Sequence, residues 1–364
     1  MQIKQISQYL ESLAPLALQE SYDNSGLLIG KAEKVVHKAL IGLDVTHEVM
    51  DEALLNGCDL IITHHPLIFK KLKRLNGGNL VEDLVIKAIK NDIALYAIHT
   101  NFDNVTMGVN GRLAEIIGLK QTKVLSAKAN LLKKIVVFCP KSHTEKVRQA
   151  MLDAGAGHIG NYSHCSFGTA GTGSFKALEG THPYVGKPGK VHFEEEDRIE
   201  TIVPAFLAQT VIAAMLQVHP YEEVAYDLYP LENDYTQTGA GMIGELPEDE
   251  EINTFLLRIK HLLGAAAIRH GKLINRPVKR VAICGGSGSF LMDMANRQGA
   301  DVFITADLKY HDFFRFGGRM TLVDAGHYET EQFTKDLLVD ILSKKFPTFA
   351  FQKSILNTNP ISFL

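Results

Sequence analysis

The strongest constraint on the fold is that the chain repeats itself. Ala39 to Thr63 (ALIGLDVTHEVMDEALLNGCDLIIT) aligns without gaps to Val281 to Thr305 (VAICGGSGSFLMDMANRQGADVFIT). Identical pairs are Ile41/Ile283, Met50/Met292, Asp51/Asp293, Ala53/Ala295, Gly57/Gly299, Asp59/Asp301, Ile62/Ile304 and Thr63/Thr305. The shared grammar is an apolar run, a turn, a helix, Gly-x-Asp, and a second apolar run ending in Thr. Runs as short as 39–43 and 281–284 suit strands buried on both faces of a parallel sheet. Residues 46–55 place Val49, Met50, Ala53 and Leu54 at helical spacing and stop at Gly57. The next strands are expected at 60–62 and 302–304, so each copy is a β-α-β unit. A third strand is expected in each half, at 93–98 after a helix over 80–89, and at 320–323 after a short helix near 308–316. Helices over 109–117 and 331–342 should close the two halves. The predicted class is α/β, a duplicated β/α core of two pseudo-symmetric halves with ligands at the carboxyl ends of the strands.

Between the halves lies a stretch of different character. A strand at 134–139 precedes a helix capped by Ser142 with Glu145 three residues on. A Gly/Ser/Thr-rich segment from Gly155 to Gly189 follows, then a strand at 198–203, a helix at 207–218 and a strand at 223–228. Two βαβ passages predict an inserted ferredoxin-like α+β domain. The expected division is 1–126 for the N-terminal half of the core, 127–238 for the insert and 239–364 for the C-terminal half. A chain of 364 residues has room for such lobes.

Composition narrows the function classes. A net charge of −3 argues against a nucleic-acid-coating protein. Cys58, Cys139, Cys165 and Cys284 form no Cys-x-x-Cys pair, which predicts reduced, mostly buried thiols and no zinc ribbon. The segment Met1 to Ile6 has no secretory apolar stretch, and no window is apolar enough to span a bilayer, so a cytoplasmic location is expected.

Histidine is the residue type to follow, with 15 copies. The first copy of the repeat ends Thr63-His64-His65-Pro66, the second Thr305-Ala306-Asp307-Leu308. The next strand ends read His99-Thr100-Asn101-Phe102-Asp103 and Asp324-Ala325-Gly326-His327, with Glu331 four residues on and on the same helical face. Taken singly, a His-His pair suits an exposed turn, His-x-x-x-Glu suits first-turn charge placement, and His99 with Asp103 suits turn chemistry. Their coincidence at equivalent strand ends points instead to one site. Such a mixture serves two divalent ions roughly 3.5–4 Å apart, which share a bridging carboxylate and lower the pKa of water to about 7. Imidazole with carboxylate suits zinc, iron or manganese better than calcium.

Other features leave alternatives open. Cys284-Gly285-Gly286-Ser287-Gly288-Ser289 could cradle a phosphate or form a tight βα turn; it is neither a P-loop nor a dinucleotide fingerprint. Asp44 could orient a histidine or cap the following helix. His99 is the candidate acid/base or substrate contact, and His311 a candidate cavity residue.

Tyr22-Asp23-Asn24-Ser25-Gly26-Leu27-Leu28-Ile29-Gly30, Thr63-His64-His65-Pro66, His99 to Asp103, and Gly326-His327 with Glu331 resemble the signatures of the NIF-three-like family, the type-two GTP cyclohydrolase homologues. Gly241 to Pro247 rejoins that pattern after the insert, and His219-Pro220-Tyr221-Glu222-Glu223 resembles the PII-like or CutA-like domain of longer members. The resemblance implies two divalent ions held by His64, His65, Asp103, His327 and Glu331. It also implies a toroidal homohexamer whose openings the insert would cap. The expected function is a metal-dependent hydrolase acting on a small, nucleotide-like substrate, at C8 of the purine if that substrate is GTP. The rival expectation is a metal-binding regulatory assembly with the insert as sensor.

Overall fold

The apolar runs of the repeat form the centres of two separate sheets. The computed structural model describes residues 1–364. In chain order the strands are β1 (Gly26–Ile29), β2 (Lys38–Gly42), β3 (Leu60–Thr63), β4 (Ala94–Ala97), β5 (Lys120–Lys128), β6 (Leu132–Pro140), β7 (Ser166–Lys176) and β8 (Val191–Pro204). They continue as β9 (Tyr226–Leu231), β10 (Tyr235–Glu250), β11 (Arg269–His270), β12 (Val278–Ser287), β13 (Val302–Ala306), β14 (Thr321–Asp324) and β15 (Ala350–Lys353). One sheet has the order β1-β4-β3-β2-β15, another β11-β14-β13-β12-β10-β5, and a third β7-β8-β6-β9. The chain is thus mixed α/β with several sheets.

Two compact units result: Met1–Ser126 with Gln237–Leu364, and Ala127–Thr236. In the first, β2-β3-β4 and β12-β13-β14 are parallel triplets. Ala39, Leu40 and Ile41 pair with Leu60, Ile61 and Ile62; Val281, Ala282 and Ile283 pair with Val302, Phe303 and Ile304. The register is therefore the same, residue for residue, in the two aligned segments. All these side chains are buried on both faces of their sheets, which explains the unbroken apolar runs. The helix His47–Leu55 starts where Thr46 Oγ1 accepts the Val49 amide, and Gly57 ends it at φ +66°.

Several local expectations need correction. The segment near 308–316 forms only a 3₁₀ turn, Tyr310–Phe314. The single helix expected over 331–342 is two, His327–Glu331 and Thr334–Lys345. The closing helices also exchange places. Val109–Ile117 buries Leu113, Ala114 and Ile117 in the core of the second sheet, and Thr334–Lys345 packs on β15 and β2 of the first. Strand β15 itself pairs in parallel with β2. Apolar spacing shows which face of a helix is buried but not which sheet buries it.

In the unit Ala127–Thr236, β6, β8 and β9 pair antiparallel and β7 adds to the outer edge of β8. Strand β7 was hidden in the Gly/Ser/Thr-rich segment, because glycine at 168, 171 and 173 erases the apolar alternation that marks a strand. Helices Thr144–Asp153 and Ala208–Val218 cover one face over Ile135, Val137, Cys139, Ile199 and Val203. The capping box expected at Ser142 does not form. Ser142 lies in the turn Lys141–His143 and bonds His143 Nδ1, while Glu145 pairs with Arg148.

Candidate metal centre

The carboxyl ends of β3, β4 and β14 bring all five expected ligand residues together. His64 and His65 follow β3 directly. Asp103 ends the short helix Thr100–Asp103 after β4, and His327 and Glu331 bracket the short helix after β14. The helix His327–Glu331 packs on β12 and β13 of the second sheet and sets the C-terminal pair beside the histidine doublet.

His64 is fully buried. Its Nδ1–H donates to the Ile98 carbonyl at 2.9 Å, which leaves Nε2 as a bare lone pair. That lone pair faces Asp103 Oδ1 and Glu331 Oε1, each at 3.7 Å. Neither His64 Nε2 nor Asp103 Oδ1 has a hydrogen-bond partner, and both are buried. Three electron-rich atoms turned toward one another at that spacing repel unless a cation lies between them. Zinc–ligand bonds of about 2.0–2.2 Å place tetrahedral donors a little over 3 Å apart, so modest closure accommodates an ion.

A second set shares the same glutamate. Glu331 Oε2 accepts from His65 Nε2 and from His327 Nε2, each at 3.0 Å. His65 Nδ1–H donates to Asp44 Oδ1 at 2.7 Å, and His327 Nδ1–H donates to Asp307 Oδ2 at 2.7 Å. Two donor sets result, His64/Asp103/Glu331 and His65/His327/Glu331, with one Glu331 oxygen turned to each. A further trio, His64/His65/His99, comes equally close. His99 Nδ1–H, however, is engaged by Asp23 Oδ1 at 2.8 Å.

Electrostatics follow from this crowding. Burial opposes charge on His65, but the hydrogen bonds to Asp44 and Glu331 outweigh it and hold its pKa up to about 10. Burial likewise opposes charge on His327, and Glu331 and Asp307 raise it to about 9. Burial and the neighbouring Glu331 charge push Asp103 up to about 7. Burial would raise Glu331 too, but the hydrogen bonds from His327 and His65 hold it well below the usual range. Asp23 is held low by His99 against the effect of burial.

Gly286 makes room for Glu331. Its φ is +61°, and a Cβ there would stand under 3.0 Å from Glu331 Oε1. The amides of Gly285, Gly286 and Gly288 go to Asn110 Oδ1, Thr330 Oγ1 and Thr305 Oγ1. Gly285 to Ser287 thus continue strand β12 and a 3₁₀ turn follows at Ser289–Leu291, with those amides spent and unable to cradle a phosphate. Asp44 orients His65 and also accepts from Thr358, while Thr46 caps the helix. His311 lies exposed beside Tyr310 and Phe314 and is not among the residues lining the cavity. That cavity, of about 510 Å³, is bordered by Tyr22, Phe69, Phe290 and His99 above the donor sets.

Asp23 and Asp307 are site residues that the sequence does not announce. A signal existed for Asp307, since it occupies the repeat position of His65; Asp23 had none beyond its motif.

The family pattern Duf34/NIF3 (NGG1p interacting factor 3) matches residues 1–360. The chain belongs to this family. Relatives named "GTP cyclohydrolase 1 type 2 homolog" include one from Halalkalibacterium halodurans, 41% identical over 99% of this chain and 98% of its own. Another, from Bacillus subtilis, is 41% identical with the same coverage. Among solved structures, the Bacillus cereus protein related to NIF3 superimposes with a TM-score of 0.86 at 42% identity, covering 100% of this chain and 99% of that one. Staphylococcus aureus SA1388 gives 0.79 at 30% identity, with the same coverage. In this Duf34/NIF3 chain no helix is long and apolar enough to cross a membrane.

Proposed function

We propose that this chain is a hydrolase using two divalent cations, zinc, iron or manganese, on a small nucleotide-like substrate. The observation that carries the reading is the position of Glu331, whose two oxygens each face a separate histidine-containing donor set. His64, Asp103 and Glu331 would hold one ion, and His65, His327 and Glu331 the other. The donors fit such ions: nitrogen and carboxylate oxygen only, with two buried polar atoms awaiting a partner. Bound there, the ions would supply Lewis acidity and water activated at neutral pH.

The chain's own residues would do the rest. Asp44 and Asp307 hold His65 and His327 by Nδ1, so that each presents Nε2. Asp23 holds His99 the same way, and His99 borders the cavity. His99 Nε2 is then placed to give or take a proton at the substrate. Tyr22, Phe69 and Phe290 offer aromatic faces to a planar base, and the cavity lies in the size range of small-ligand sites.

The matching registers of the two parallel triplets support a duplicated core. The order β7-β8-β6-β9, with a helix after β6 and another after β8, supports a ferredoxin-like insert of the PII or CutA kind. Homo-oligomeric assembly, as a ring of six, belongs to the same reading. Exposed Tyr310 and Phe314 suit a surface covered by another copy. Four unpaired cysteines accord with the cytoplasm.

The test is turnover by protein loaded separately with zinc, iron and manganese, against GTP, other nucleotides and nucleotide phosphodiesters. The reading requires at least one substrate whose hydrolysis disappears in His65→Ala and Glu331→Ala. Turnover unchanged in those variants defeats it and leaves a metal-binding regulatory role ahead.

A further inference from the structure

The unit Ala127–Thr236 has a cavity of its own, about 600 Å³, on the sheet face away from its helices. Alternation along β8 sends Ile199 toward the helices and Glu196 and Arg198 the opposite way. Gly171 lies across from Glu196. A Cβ on Gly173 would stand under 3.0 Å from Glu196 Oε2. Gly173 thus clears the floor on which the Glu196 carboxylate rests.

Glu196 is 9% exposed. Its Oε1 accepts from the Tyr221 hydroxyl at 2.7 Å, and Oε2 accepts from no group. No lysine, arginine or histidine pairs with it. Arg198, the cation at the same cavity, is committed to Glu200 at 2.9 Å. Glu222 and Glu223 add negative charge to the wall. Three aromatic rings line the same cavity: Tyr221, which meets the carboxylate, and Phe175 and Tyr184, each 6.2 Å from Tyr221, centroid to centroid. His219 supports Tyr221 from behind, accepting its amide on Nδ1 and donating from Nε2 to the Phe138 carbonyl. That arrangement is a neutral imidazole, and burial holds its pKa down.

We propose that this cavity binds an organic cation, an alkylammonium or quaternary ammonium group, with Glu196 as counter-ion and Phe175, Tyr184 and Tyr221 as the cage. Ring faces attract cations within about 6 Å, most strongly where water is excluded. Glu196 Oε2 opens on the cavity without a counter-charge, and a bound ammonium would supply one. Phosphate-bearing ligands meet three carboxylates here and are repelled. The site is independent of the metal centre and stands or falls apart from it.

Titration calorimetry of the full chain with choline, butylammonium and 3,3-dimethylbutan-1-ol, the uncharged isostere of choline, tests this. Saturable binding of a cation, at least about tenfold tighter than the alcohol, is expected. Glu196→Gln should weaken it about tenfold or more at unchanged melting temperature. Gly173→Ala removes no charge, but its methyl intrudes on the carboxylate, so it should weaken binding similarly. A free amine and a lysine side chain share this chemistry. Competition by a trimethyl-lysine peptide that is tighter than choline assigns the ligand to a protein, and weaker competition to a small molecule. No saturable binding of either cation up to roughly 10 mM overturns the proposal. Equal binding of choline and the alcohol, or unchanged affinity in either variant, also overturns it.

Discussion

Glu331 Oε2 lies 3.0 Å from His65 Nε2, although 266 residues separate the two in the chain. The contact exists because the helix after β14 is delivered to the carboxyl end of β3, in the other sheet. Glu331 is also 3% exposed, so it is a buried acceptor shared by two imidazoles, His65 and His327, from two distant segments.

Loss of different residues should remove different ions. Asp103→Asn touches only the set with His64, and His327→Ala only the set with His65. Each should leave one ion per chain, whereas Glu331→Gln should lower affinity at both positions. Metal content by plasma mass spectrometry after equilibration with limiting zinc checks this; equal losses in all three variants would refute the division.

Proton and cation should compete. His65 and His327, with pKa values of about 10 and 9, carry protons at neutral pH where they face Glu331. Zinc binding should therefore release protons and weaken as pH falls. Calorimetry in buffers of different ionisation enthalpy measures the release.

Chelator-treated protein should lose stability with rising pH. The folded-state pKa values of His65 and His327 lie above the ordinary 6.5, and that of Asp103 above the ordinary 3.8. The folded chain then binds more protons than the unfolded one, and stability falls as pH rises. The histidine contribution is full below about pH 6.5 and is lost as pH climbs through about 9 and 10. Melting temperature should decline from pH 6.5 to 9.5 in chelator, and less with zinc present.

Much of this site was legible because the repeat marks equivalent strand ends, and His64, His65, Asp103, His327 and Glu331 all stand at or just beyond such ends. The exchange of closing helices was not legible, since apolar faces at Leu113 and Leu338 fit either sheet. The return of Ala350–Lys353 to β2 was equally hidden: pairing over such a distance leaves no local mark. Strand β7 was masked by its glycines, of which Gly173 leaves room for the Glu196 carboxylate.

Removing an orienting carboxylate should weaken the metal without removing a ligand. Asp44→Asn and Asp307→Asn should each cost roughly 10–100-fold in affinity at the His65/His327 position, with the His64/Asp103 position spared. Competition with a chromogenic chelator reads both.

Gly286→Ala gives the sharpest steric test. The added methyl would collide with Glu331 Oε1, and φ +61° strains any residue with a Cβ by about 1–2 kcal/mol. Metal content should fall at both positions, and the melting temperature by a few degrees.

Anomalous diffraction from crystals of zinc-loaded protein is the most direct measurement. Two peaks per chain are expected, one among His64, Asp103 and Glu331 and the other among His65, His327 and Glu331, with a Glu331 oxygen bonded to each. A single peak, or peaks that Glu331 does not join, would contradict the account.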